Sequence, residues 1–230
     1  MQMNNLCIIP ARGGSKRIPR KNIKDFLGKP IIAYSIKAAQ ESGLFDEVMV
    51  STDDPEIAAI AKQYGASVPF LRSTTTANDY ATTKDVLDEV LSNYRKLGRT
   101  FDALCCIYAT APLITAENIT DAYRHLTHSD FDCVYPVVQF SYPIWRCIDV
   151  AEDGSMKRHW PEFENSRSQD LPKEYHDTGT FYWYKLVNNS IQVGTLGAII
   201  VPEERVQDID TETDWKLAEM KYQLLNASET

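Results

Sequence analysis

The sequence lacks the usual means of stapling or anchoring a chain. Its five cysteines, at 7, 105, 106, 133 and 147, form no CxxC pair. Neither a disulfide framework nor a zinc site is therefore expected, and an odd, scattered set of thiols suits a reducing compartment. No apolar run approaches the ~20 residues of a membrane helix. The short apolar stretch 6–9 precedes the first positive charges instead of following them, the reverse of a secretory leader. The expected location is the cytoplasm, away from any membrane. Basic residues are the minority, 24 against 32 acidic, for a net charge of −8, which argues against a nucleic-acid partner. The P-loop pattern, GxxxxGK followed by Ser or Thr, is missing, and so is the GxGxxG dinucleotide fingerprint. Gly28-Lys29-Pro30 stops short of the hydroxyl residue that holds magnesium in the former. Internal repeats and low-complexity segments are absent as well.

What is present is the material of one sizeable core, 43% hydrophobic residues in a chain of 230. Short apolar runs alternate with helical patterns. Strands are predicted at 5–10, 47–52, 103–108 and 132–138. Helices are predicted through Ile31, Ile32, Ile36 and Ala39, and from Asp54-Pro55, an N-cap with proline at the first helical position. Two more follow, over 83–97 with Val86, Val90 and Tyr94 on one stripe, and after Thr115 with Ile119, Ala122 and Leu126 inward. Repeated βα units predict an α/β fold: a Rossmann-like, doubly wound, mostly parallel sheet with helices on both faces. From 139 to 172 the rhythm breaks. Prolines, Trp145, Trp160 and an Asp153-Gly154 hairpin turn replace it, and an antiparallel arm inserted between core segments 1–138 and 173–230 is expected. The sheet resumes at 180–185 and 195–202. Thr211 and Asp214 form a capping-box variant that opens a last helix.

Two features carry chemistry. The first is the loop after the first strand, where Arg12, Lys16, Arg17, Arg20, Lys21 and Lys24 stand together with no acid among them. Gly13 and Gly14 would let the backbone take positive φ, and the Gly13, Gly14 and Ser15 amides could form an anion nest. Ligands of open parallel sheets bind beyond strand carboxyl ends, so this loop is read as a phosphate site; the alternative is a solvated turn. The second is Asp208-Ile209-Asp210. In an extended segment residues two apart point the same way, so both carboxylates could converge on a magnesium ion with Ile209 in the core. The alternative is helix N-terminal electrostatics, which suits Asp210 and Asp214 but not Asp208. Cys105 and Cys106 should face opposite sides of their strand as small core residues. Asp53 could touch a ribose or serve the following helix. Trp183 could be core or interface.

The run from Ile8 through Ala11-Arg12-Gly13-Gly14-Ser15-Lys16 to Asn22 resembles the signature of the acylneuraminate (nonulosonate) cytidylyltransferases, and the resemblance spans nearly the whole chain. It includes Gly28-Lys29-Pro30-Ile31, Ser51-Thr52-Asp53-Asp54-Pro55, Ala77-Asn78-Asp79 and Asp208 to Trp215. Cys106-Ile107-Tyr108-Ala109-Thr110-Ala111-Pro112, Arg167-Ser168-Gln169-Asp170 and Tyr175-His176-Asp177-Thr178-Gly179 are similar to the branch acting on pseudaminic acid. The resemblance implies transfer of CMP from CTP to the sugar's anomeric hydroxyl, with release of pyrophosphate. It places Arg12, Gly13, Gly14, Ser15, Lys16, Lys21, Asn22, Arg72, Ala81 and Thr82 on the nucleotide. Tyr108, Arg167, Gln169, Tyr175, Asp177, Phe181 and Tyr182 would line the sugar pocket, with His176 and Trp183 as further walls. Asp208 and Asp210 would hold Mg2+. The arm would exchange between subunits of a homodimer. Sialate, legionaminate and ketodeoxyoctonate enzymes are the nearer alternatives, and a nucleotide-binding regulator without turnover the more distant one.

Overall fold

The computed structural model describes residues 4–192 and 194–227. In chain order the strands are β1 (Asn5–Pro10), β2 (Asp25–Phe26), β3 (Lys29–Pro30), β4 (Glu47–Ser51), β5 (Ala103–Ile107), β6 (Cys133–Gln139), β7 (Ile148–Val150), β8 (Met156–Arg158), β9 (Tyr175–Asp177), β10 (Phe181–Val187), β11 (Ser190–Ile191) and β12 (Leu196–Ile200). The helices are α1 (Ile32–Glu41), α2 (Pro55–Gln63), α3 (Thr83–Lys96), α4 (Ala116–Thr127) and α5 (Glu212–Ala227).

The central sheet runs β12-β6-β10-β5-β1-β4. Strands β4, β1 and β5 are parallel, as are β6 and β12, and β10 lies antiparallel between the two groups. The mostly parallel α/β sheet expected from the sequence is therefore present. The direction of β10 follows from connectivity, because the chain re-enters the sheet from the carboxyl edge and has to run back down.

Alternation within each strand sorts the core. Cys7, Ile9, Cys105, Ile107 and Val50 pack towards α1, α2 and α4. Leu6, Ile8, Leu104, Cys106 and Met49 pack towards Leu87, Val90, Leu91 and Tyr94 of α3. Both sheet faces are thus covered here, which is why β1 and β5 read as unbroken apolar runs. Cys105 and Cys106 do face opposite layers. Each fully buried Leu or Ile stabilises the fold by roughly 1.5–3 kcal/mol relative to exposure. Trp183 belongs to the core: it is fully buried, stacks on Phe45 at 5.0 Å and donates its indole N–H to Ile119 O at 3.1 Å. That placement removes it from the sugar pocket, since it projects to the α4 side of the sheet.

Helix starts obey capping chemistry. Asp54 accepts from the N–H groups of Glu56 and Ile57, Thr115 from that of Asn118, and Thr82 and Asp85 close a full capping box on α3. Helix α5 lies on a third cluster, where Trp215 and Ala218 meet Ile18, Phe26, Ile31 and Ile209. This cluster ties the basic loop, through Ile18, to the acidic pair, through Ile209.

The chain leaves the sheet at Gln139 and returns at Tyr175, and these two residues are paired at the base of the excursion. Between them stands the β7–β8 hairpin, turned at Gly154, with Trp145 against Trp160 and Phe163 at 5.3 and 5.2 Å. The arm's tryptophans are therefore half-buried against one another within the chain.

Candidate active site

The glycine turn that opens the loop leaving β1 is shaped by crowding, not by unusual φ. Gly13 and Gly14 are absent from the residues with positive φ; in this loop that conformation falls on Arg20, at 56°. Gly13 is needed for close approach, because a Cβ there would lie 2.7 Å from Asp54 Oδ2. The amides also depart from the expected nest. Gly13 N–H donates to Asp53 Oδ1 at 3.0 Å, and Ser15 N–H to Gly13 O at 3.1 Å. Both are satisfied inside the chain, so Asp53 serves as the brace of the turn while Asp54 caps α2.

The six basic side chains divide by direction. Arg20 pairs with Asp54 and Glu56, and Lys24 with Glu212 while lying 4.6 Å over the Trp215 ring; these two fasten the loop to α2 and α5. Arg12 and Lys16 converge on Asp79, and their hydrogen bonds, that from Lys16 first, hold its carboxyl below the usual range. Arg17 pairs with Asp210. Lys21 donates to Ile209 O at 2.6 Å and lies 3.6 Å from Asp210. Asn22 is buried, and its amide nitrogen holds Arg12 O at 2.9 Å.

These groups frame a cavity of about 310 Å³ at the carboxyl ends of β1 and β5. Arg12, Ser15, Lys16, Lys21, Asn22, Arg72, Ala81 and Thr82 all line it, with Asn78, Asp79 and Thr83 added from the same side. Arg72 is 9% exposed and donates to Ser51 O at 2.7 Å and Ser51 Oγ at 3.2 Å; burial lowers its pKa.

A second cavity, of about 780 Å³, opens on the arm side. It shares Arg17, Tyr108 and Thr110 with the first, so the two meet at the end of β5. Tyr108 is the fixed partition. Its hydroxyl bonds Thr83 Oγ1 at 2.9 Å, its amide donates to Thr180 O at 2.8 Å, and burial raises its pKa. Asp177 lines the second cavity and is positioned by a break between β9 and β10. There Gly179 takes φ 63° and its N–H donates to Asp177 Oδ1 at 2.7 Å. The Tyr182 hydroxyl donates to Asp177 Oδ2 at 2.7 Å, with its pKa pushed well up by burial and then by that carboxylate.

Asp208 and Asp210 both line this cavity, and Ile209 between them is 2% exposed. Helix capping at α5 is performed by Thr211 and Asp214. Asp214 also accepts from the Asp210 amide, so neither Asp208 nor Asp210 is committed as a cap. Two exposed or half-exposed carboxylates facing one cavity beside a basic phosphate-sized site suit a hard cation held partly by substrate phosphates. No cluster of three or more His, Cys, Asp or Glu able to hold a metal by themselves occurs among the described residues.

Other expected sugar residues lie elsewhere in the chain. Phe181 is 1% exposed and packs in the α4-side core, because its register on β10 points it away from Tyr182. Arg167 and Gln169 sit at a short helical turn of the arm, Arg167 paired with Asp170 at 2.7 Å, and they line neither cavity. Tyr175, 37% exposed, also lines neither. His176, Gln139, Ser141, Glu203 and Lys221 line the second cavity. Of these, His176 was expected from its motif, whereas Glu203 and Lys221 carry no local signal, since tertiary packing alone brings them there.

Residues 6–182 match the cytidylyltransferase family. The chain is 41% identical over 230 residues to a pseudaminic acid cytidylyltransferase of Campylobacter jejuni, covering 98% of this chain and 99% of the relative. It is 34% identical to a CMP-N,N'-diacetyllegionaminic acid synthase of Legionella pneumophila, over 96% of this chain and 97% of that one. Its fold is similar to that of a CMP:2-keto-3-deoxy-manno-octonic acid synthetase solved with CTP, with TM-score 0.68 and 18% identity over 97% of this chain and 99% of the other. A basic loop at a strand end, a polar cavity beneath it, and these full-length matches agree: the chain belongs to the cytidylyltransferase family.

Proposed function

We propose that the protein transfers CMP from CTP to the anomeric hydroxyl of a nonulosonic acid, with pseudaminic acid as the acceptor, and releases pyrophosphate. The observation that carries this reading is the meeting of two cavities at Arg17, Tyr108 and Thr110, one basic and one bordered by Asp208 and Asp210. A triphosphate in the first would present its α-phosphorus to a hydroxyl held in the second. The 41% relative covers both cavities and acts on pseudaminic acid, which supports that acceptor over sialate or legionaminate.

The chain's own residues supply position and charge. Arg12 and Lys16 exchange Asp79 for the phosphates, and Lys21 stands beneath them. Arg72 and the 81–82 segment bound the nucleoside end. Tyr108 and Thr110 separate nucleotide from acceptor, and Asp177, held by Tyr182, offers the acceptor a carboxylate. Asp208 and Asp210 would hold Mg2+. Bound there, the ion would neutralise phosphate charge and acidify the attacking hydroxyl. The presence of both carboxylates favours an enzyme over a non-catalytic regulator.

The working unit is a homodimer. On β12, Leu196 and Ile200 are 52% and 67% exposed, on a sheet face that α3 does not reach, and Val150 and Met156 of the arm are 65% and 72% exposed. The family resemblance implies that a second copy on these surfaces also brings Arg167, Gln169 and Tyr175 towards an acceptor site. The reading places its work in the cytoplasm, supported by the buried free thiols Cys7, Cys105, Cys106 and Cys133.

Pyrophosphate release from CTP with pseudaminate, sialate, legionaminate and ketodeoxyoctonate tests the reading. The expected result is a kcat/KM for pseudaminate above the others by ~10² or more. A preference for another nonulosonate overturns the acceptor, and no release with any of them overturns the activity.

A further inference from the structure

The acceptor-side cavity poses a charge problem. Its wall carries Asp177, Glu203, Asp208 and Asp210 against two permanent cations, Arg17 and Lys221. The proposed acceptor is itself an anion. A nonulosonate bears its carboxylate on the same carbon as the attacking hydroxyl, so that carboxylate comes to rest beside the junction of the two cavities. Even with Asp208 and Asp210 turned to Mg2+, Asp177 and Glu203 remain, and the acceptor's carboxylate would be disfavoured unless a cation met it there.

Lys221 is directed elsewhere, since its ammonium spends two of its three donors on Val206 O at 2.6 Å and Glu203 O at 3.2 Å. His176 directs Nδ1 at the Asp177 carbonyl oxygen, 2.9 Å away. Arg12, Lys16, Lys21 and Arg72 line the nucleotide side alone, and Arg167 lines neither cavity. Arg17 lines both cavities, keeps 69% of its side chain exposed, and already grips a carboxylate, that of Asp210. We infer that Arg17 binds the carboxylate of the acceptor, and that Asp210 occupies this position until the acceptor arrives. A guanidinium suits the task, since its planar fork matches a carboxylate and offers five donors. The same exchange would free Asp210 as the substrates bind. This inference rests on the nonulosonate reading proposed above.

The test compares wild type and Arg17→Gln, each with pseudaminate and with its C1 carboxamide. Wild type should prefer the acid by ~10²-fold or more in kcat/KM. Arg17→Gln should reduce that preference to a few-fold, Arg17→Lys should restore part of it, and the KM for CTP should stay nearly constant. Calorimetric titration of the acid onto protein holding a non-reactive CTP analogue gives a readout independent of turnover, and binding should weaken strongly in Arg17→Gln. An acid preference undiminished in Arg17→Gln, or one lost in Arg167→Gln instead, overturns the inference while leaving the transferase intact. Unchanged calorimetric affinity does the same. Failure of wild type to use any nonulosonate overturns the underlying reading and the inference with it.

Discussion

The nucleotide end and the acceptor end of the site are built in different ways. The nucleotide end takes its positive charge mainly from one contiguous loop, residues 12–22, braced by Asp53 and Asp54 just after β4 and by Asp79 from the segment before α3. The acceptor end is assembled from residue 17 and residues at 108–110, 138–141, 176–179, 203–210 and 221. A short loop held at many points presents the same groups whatever the acceptor is. A wall drawn from six segments can change one residue at a time.

Substitutions can break or sharpen this contrast. The largest effect is expected at Asp210→Asn, on the boundary between the two ends. Loss of charge stabilisation there should lower kcat by ~10²–10³ with little change in melting temperature, because Thr211 and Asp214 keep the α5 cap. Near-normal turnover at saturating magnesium would show that the acidic pair takes no part.

Gly13→Ala should be the most damaging change to the loop itself. The new methyl meets an Asp54 oxygen at 2.7 Å, and Asp54 is pinned by Arg20 and by the N-terminus of α2. Overpacking of this kind costs about 1–3 kcal/mol, readable in urea unfolding, and the KM for CTP should rise with it. An unaffected protein would mean the turn relaxes freely and the rigid-loop half of the contrast is wrong.

Tyr182→Phe probes the other end. It removes one hydrogen bond to the Asp177 carboxylate, and such bonds to charged groups are worth roughly 1.5–3 kcal/mol. The acceptor KM should rise several-fold while the CTP KM holds. Equal changes in both would mean the ends are not separable.

Acid stability offers a subtler test. Asp54 has its pKa lowered, first by Arg20 and then by the Ile57 and Glu56 amides. A depressed folded-state pKa stabilises the fold above the unfolded carboxyl value, and that contribution is lost as pH falls through the folded value. Arg20→Gln should therefore raise the pH of acid unfolding, as followed by circular dichroism, and leave kcat near wild type. The smallest effect is expected from Lys24→Ala, whose partly exposed pair with Glu212 is worth within about 1 kcal/mol. A loss of activity at Lys24 to match that at Arg12→Ala would return the loop to a uniform basic surface.

Much of this was legible in the sequence because the signals are local. The strand at 5–10, the caps at Asp54, Thr115 and Thr211, the alternation of Cys105 and Cys106, and the inward turn of Ile209 follow from period, capping chemistry and residue type. So does the position of the basic loop at a strand end. Local signals could not say which loop cations face the cavity. That was decided by acids arriving from elsewhere: Asp54, Glu56 and Glu212 turn Arg20 and Lys24 away, and Asp79 and Asp210 hold Arg12, Lys16 and Arg17 inward. Nor could they show that Phe181 and Trp183 share the core face of β10 while Tyr182 faces the other way, because a strand's pleat is set by its neighbours' register. By itself the sequence determined the elements, their caps and the chemistry of one contiguous loop. The junction of two cavities, with Arg17 spanning both, was decided by tertiary structure, because it depends on contacts between residues nearly 200 positions apart.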